Sequence, residues 1–140
     1  MKMDSDRSAA VKRITVGLFS LLLVSIPALA HHGNAGYDMS KMTVFQKATI
    51  TEVLWGNPHC QIKFDVTDEK GNVQHWNVEA PPPADMTDRT WTRKSLNAGD
   101  HVTVYFHAAK NGSPVGIMQK VIFPDGKILH AYPDRPNQPE

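Results

Sequence analysis

Two histidines, His31 and His32, directly follow the small-residue triplet Ala28-Leu29-Ala30. If a peptidase cuts after Ala30, His31 gains a free α-amine with an ordinary pKa of about 7.7–8.0. A metal ion can displace that proton, and the amine and ring Nδ1 then close a chelate on one ion. His32 adds a second imidazole or its backbone nitrogen. Nitrogen-rich donor sets suit Cu(II), Ni(II) or Zn, and copper is the expected metal. A third candidate ligand is His59, in the run Trp55-Gly56-Asn57-Pro58-His59. The residue before a proline is pushed to extended geometry, so Asn57-Pro58 leads the chain into a strand that starts near His59. The structural alternatives are a solvated His-His start that takes up metal only adventitiously, and a turn histidine bonded to backbone at position 59.

A second set of residues suits organic ligands. Trp55 and Asn57 sit in the same turn as His59, and Trp91 lies between Arg89 and Arg93. An indole beside guanidinium groups can stack on a sugar or a base, or Trp91 can cap one end of a core. His75, His101, His107 and His130 are expected to be solvated strand positions. Cys60 shares strand parity with Ile62 and Phe64, which reads as a buried inert thiol. His59 cannot activate it, because adjacent strand residues point to opposite faces. Met39 and Met42 are soft donors close to the histidine pair, or simply packing residues. There is no paired-carboxylate, phosphate-loop or zincin pattern, and the chain is expected not to be an enzyme.

Residues 1–30 have the parts of an export signal. Lys2, Arg7, Lys12 and Arg13 precede the uncharged run ITVGLFSLLLVSI at 14–26, Pro27 breaks it, and Ala28-Leu29-Ala30 offers small residues to a peptidase. The apolar run is shorter than the roughly 20 residues of a membrane span, so cleavage after Ala30 and release into the periplasm or medium are expected. Removing 30 of 140 residues, with four of the 15 bases and two of the 14 acids, leaves 110 residues with 11 bases against 12 acids. That near-neutral balance argues against a nucleic-acid partner held by bulk charge. All seven histidines remain, and the single cysteine has no intrachain partner.

After an irregular arm at 31–42 the texture turns β-rich. The run TVFQKATITEVLW at 43–55 is the first strand, in which Ala48 and Ile50 share one parity and Val53 and Trp55 the other. Strand side chains alternate, so this switch predicts a bulge. Strands follow at 59–67 (Cys60, Ile62, Phe64 and Val66 inward), 73–79 (Trp76 and Val78 inward), 101–108 (Val102, Val104 and Phe106 inward), 117–123 and near 128–129. After Pro81-Pro82-Pro83 a polar stretch has room for a helix of two turns, capped by Asp85 or Thr87. This order predicts a mainly β fold, a five- to six-stranded antiparallel barrel of the OB kind over 43–131, with one short helix between strands three and four and a loose tail at 132–140. A β-sandwich is the alternative. In an OB barrel the turn after strand one and the loop after strand four border the ligand face. His59 and His107 are therefore expected at one end, and His75 and His101 at the other.

Several motifs recur together: Ala30-His31-His32, Trp55 to His59, Asp65 to Gly71, Trp76 to Glu79, Trp91 to Arg93, Gly99 to Val104 and Asp125 to Lys127. In this order the chain resembles an uncharacterised family of small exported bacterial proteins, a domain of unknown function. Members of that family begin H-H-S-F or nearly so, whereas this chain has His31-His32-Gly33-Asn34. The resemblance implies that His31, His32 and His59 belong to the motif and that position 60 is small or apolar. It implies export and fold but no activity.

The expected function is therefore that of a periplasmic binding or accessory protein holding copper through His31, His32 and His59. A second reading is a module presenting Trp55, Asn57, His59 and Trp91 to a glycan, a peptide or a partner protein of the envelope. A third is a copper oxidoreductase built on the terminal histidine.

Overall fold

The computed structural model describes residues 33–134. The expected export signal at 1–30, His31, His32 and residues 135–140 of the tail lie outside the described residues. Six strands and one helix follow in chain order: β1 (Thr43–Leu54), β2 (Cys60–Thr67), β3 (Val73–Ala80), α1 (Pro83–Asp88), β4 (His101–Ala108), β5 (Val115–Ile122) and β6 (Ile128–His130). The sheet runs β3-β2-β1-β4-β5-β6 and closes where β3 meets β5. The result is a closed five-stranded barrel with β6 added beside β5, the mainly β, OB-like architecture expected from the strand pattern. One pairing departs from the antiparallel expectation. Asn77, Val78 and Glu79 pair with Val115, Gly116 and Ile117 in parallel. An odd number of alternating strands cannot close into a ring without one such pair.

The core is organised around four rings, one from each of β1 to β4. Phe45, Phe64, Trp76 and Phe106 are mutually in contact, with all six centroid distances between 5.0 and 6.5 Å. Such spacings lie in the attractive range for edge-to-face and offset pairs. Phe45 has the wrong parity to share a face with Ala48 and Ile50. A register shift against β4 between Phe45 and Ala48 turns it inward, and a second against β2 between Ile50 and Glu52 produces the expected bulge. The second is held by Asp100 and Gly99: Ile50 N donates to Asp100 O (2.9 Å), and Gly99 N donates to Ile50 O (2.8 Å). On β5 the facing position is Gly116. A Cβ there would lie 2.5 Å from the Phe106 ring and 2.8 Å from His107 O, so glycine makes room for the ring cluster.

Helix α1 differs from its expected start. Pro82 is the N-cap without a side-chain bond and Pro83 opens the helix, because a proline already has a helical φ and lacks only a donor that has no partner there. Asp85 and Thr87 therefore lie inside the helix, where Thr87 Oγ1 donates back to Pro83 O (2.8 Å). The C-terminus has Schellman geometry: Thr90 N donates to Thr87 O and Trp91 N to Met86 O, both at 3.0 Å. Met86 and Trp91 are both buried, and they supply the apolar contact that accompanies this motif. Thr90 occupies the left-handed position at φ 69°, where a branched side chain is strained. Thr90→Gly is expected to stabilise the fold by roughly 1 kcal/mol, read as a higher urea midpoint with an unchanged slope.

Candidate functional site

The turn from β1 to β2 opens a cleft of about 500 Å³ lined by Val53, Leu54, Trp55, Gly56, Asn57, His59, Gln61 and Arg93. Three residues singled out from sequence, Trp55, Asn57 and His59, thus share one site. Trp55 is half-buried, one part packed on the core and the rest facing the cleft, while Asn57 and His59 are exposed. The Asn57-Pro58 bond is cis. His59 Nδ1 stands 3.7 Å from Glu79 Oε2, and the side chains are 51% and 44% exposed. Glu79 thus faces His59, the candidate metal-ligating histidine of this turn.

Trp91 does not join them. It is 1% exposed, with Nε1 donating to His130 O at 2.9 Å, so its ring offers no face to a sugar or a base. It caps the core instead, because the Schellman turn drives it onto Met86. Arg93, two residues on and exposed, reaches the cleft. Nothing in the sequence marked Arg93 over Arg89, since the distinction depends on how α1 ends.

The cleft continues along the outer face of β1, β2 and β3. Register places Leu54, Gln61 and Glu79 in one row, Glu52, Lys63 and Asn77 in the next, and Thr49, Asp65 and His75 in a third. The carboxylates in these rows have basic neighbours: Lys63 Nζ lies 2.6 Å from Glu52 Oε2, and His75 Nδ1 lies 2.6 Å from Asp65 Oδ1. Asn77 Nδ2 donates to Gln61 Oε1 (3.2 Å), while Asn77 Oδ1 is buried without a partner among the described residues. A second hollow of about 400 Å³ lies at this end, lined by residues including Lys63, Asp65, His75, Asn77, Pro114 and Val115.

The remaining histidines divide by register. Cys60 pairs with Ala80, Glu79 with Ile117 and Ile117 with His107, so one line across the sheet joins the start of β2 to the end of β4. His75, Asp65, Thr49 and His101 form another line. This grouping follows the expected division into two ends. His107, however, is not a solvated strand residue. A register shift between Tyr105 and Phe106 breaks the alternation, and His107 is 2% exposed. The arm covers it: His107 Nδ1 lies 2.9 Å from Lys41 O and 3.2 Å from Asp38 O. Asp38 N donates to Ala108 O and Lys110 N to Gly36 O, both at 2.9 Å. Residues 34–41 are therefore fixed to the end of β4. The Tyr37 hydroxyl is held above its ordinary pKa, first by burial and then by the charge of Glu79, so this part of the arm shares its field with the His59 side of the barrel. His75 and His101 are exposed, and His130 is half-buried with Nδ1 3.5 Å from Asp134 Oδ1.

Cys60 is buried, and burial pushes its thiol pKa up, as an inert core thiol requires. Among the described residues no three His, Cys, Asp or Glu side chains converge to hold a metal, and no helix is long and apolar enough to cross a membrane.

Closed barrel, helix after β3 and cleft at the β1–β2 turn together define a small OB-like domain with an open polar site. Residues 19–119 match the family of unknown function DUF6152, and the chain belongs to that family. No curated protein and no solved structure matches it.

The packing of the arm generates a test. His107→Ala removes the group that faces both Asp38 O and Lys41 O. Amide hydrogen exchange at Tyr37, Asp38 and Lys110 is expected to accelerate by at least about tenfold, with the amides of β2 unchanged.

Proposed function

We propose that this protein is a non-enzymatic binding or accessory protein of the cell envelope, with the cleft at the β1–β2 turn as its ligand site. The observation that carries the reading is the convergence of Trp55, Asn57, His59, Gln61 and Arg93 on one open cleft. A half-buried indole, two amides, an imidazole and a guanidinium give an apolar platform ringed by hydrogen-bonding groups, the usual composition of a recognition site. The ligand class is a glycan, a peptide or a partner protein. Trp55→Ala is expected to lower capture of the envelope ligand by at least about tenfold, with EDTA without effect. Unchanged capture by the variant would remove this cleft from the function.

The second reading is a late transition metal, copper above the others, held by His31 and His32 with His59 as a third ligand. Two observations favour it. The His-His pair follows the small-residue triplet Ala28-Leu29-Ala30, and His59 is an exposed imidazole with a carboxylate 3.7 Å away that can orient it. Copper titration of the chain beginning at His31 is expected to give tighter binding than titration of the same chain with one extra N-terminal alanine, because the added residue turns the amine into an amide. Equal affinity would remove the chelate. Intact mass of the exported product checks the cut site on the same sample.

A further inference from the structure

We propose that the protein has a second binding site, on the outer face of β1, β4 and β5, for an anionic amphiphile: an acyl chain with one negatively charged head. A hollow of about 380 Å³ lies there, within the size range of small-molecule sites. It shares no lining residue with the two hollows on β1, β2 and β3. The site is therefore independent of the cleft at the β1–β2 turn and goes beyond it.

The hollow is built by the bulge that turns Phe45 inward. Three steps along β1, from Phe45 to Ala48, face two along β4, from Val104 to Val102. The extra residue falls at Gln46-Lys47, and a bulged strand bends locally. Thr103 Oγ1 donates to Gln46 O at 3.4 Å there. Ile122, Phe123 and Pro124 supply an apolar wall. The turn after them is closed by Phe123 N donating to Lys127 O and Gly126 N to Phe123 O, both at 2.9 Å. Thr103 pairs with Ile122 and Ile122 with Ile128, so all three share the outer face. Ile128 is exposed on β6 and extends the apolar surface to the end of the sheet. From Thr103 to Ile128 this track crosses two interstrand spacings, about 10 Å, room for an acyl chain of medium length.

The head group follows from the charges. Lys47 and His101, both exposed, line the hollow, and no acidic residue does. Lys127 Nζ lies 5.5 Å from the centre of the Phe123 ring. Among the described residues neither lysine has a carboxylate within ion-pair distance, unlike Lys63 with Glu52 and Lys120 with Asp134. Asp125, in the turn beside the wall, accepts from Lys127 N through Oδ1. Asp100, before His101, accepts from Asn97 N. With His101 neutral, Lys47 and Lys127 against Asp125 leave one positive charge in excess beside the apolar wall. A cation is repelled here. A polyanion meets Ile122 and Ile128 where its next charge would sit, and a neutral chain leaves Lys47 without a counter-charge. One anionic head with an apolar tail uses both parts of the site.

The test is calorimetric titration of the chain beginning at His31 with hexanoate, octanoate, decanoate, decanol and decyltrimethylammonium. Affinity is expected to rise about twofold or more per methylene along the acids. Decanoate should bind at least about tenfold more tightly than the alcohol or the cation. Lys47→Gln and Ile128→Ser should each weaken decanoate by about fivefold, while Lys70→Gln, the same charge change in the β2–β3 loop, leaves it unchanged. Far-UV circular dichroism checks that the variants fold. Flotation with phosphatidylglycerol vesicles, lost in Lys47→Gln, supports the site with a membrane lipid as its source; decanoate binding without flotation supports it with a free acid. Equal affinity for decanoate and decanol would overturn the charged head. Folded Lys47→Gln and Ile128→Ser variants that bind decanoate like the parent, or a parent that binds neither decanoate nor vesicles, would overturn the site.

Discussion

The contact of four aromatic rings, one from each of β1, β2, β3 and β4, is the constraint on which the rest of this structure depends. Phe64 and Trp76 are direct cross-strand partners, so their contact pins the β2–β3 register. A slip of one residue would exchange the two faces of a strand. The outward rows from Glu79 and Gln61 to His75 and Asp65 are thus set by what is packed inside. Phe45 and Phe106 impose matching demands elsewhere. β1 must shift register to turn Phe45 inward, and β5 must carry a glycine where it crosses Phe106. Interior packing and exterior chemistry are one problem in a barrel this small, because each strand supplies both with alternate residues.

The fold was largely legible in the sequence because burial has a period of two in most strands. Ile62, Phe64, Val78, Val102, Val104 and Phe106 are buried where alternation puts them. The bulge after Ile50 was visible as a parity change from Ile50 to Val53. What escaped were features that depend on partners distant in sequence. Phe45 shows an outward parity on its own strand and turns inward only because of its register with β4. His107 alternates outward, yet a shift against β5 and the returning arm bury it.

The site was legible in part. Trp55, Asn57 and His59 lie within one turn, so local reasoning could group them. Arg93, Gln61 and Glu79 belong to the same surface through α1, β2 and β3, and no local pattern announces that. Trp91 has the composition of a stacking residue, but the helix C-terminus before it forces its ring into the core. A motif of this kind tells which side chains are able to do chemistry; the backbone decides which of them face a ligand.

The parallel seam between β3 and β5 has a kinetic consequence. Its partners, Asn77 to Glu79 and Val115 to Ile117, are far apart in the chain, whereas β1–β2, β2–β3 and β4–β5 are neighbours in sequence. Contacts between distant segments carry the larger loop-closure entropy, so they form after local hairpins have shortened the effective loop. The β1–β4 pairing spans a still longer stretch of chain, so the barrel closes only once both non-local pairings, β1–β4 and β3–β5, have formed. Until then, β3 and β5 present unpaired backbone to other chains, which exposes an assembling molecule to misassociation at this seam.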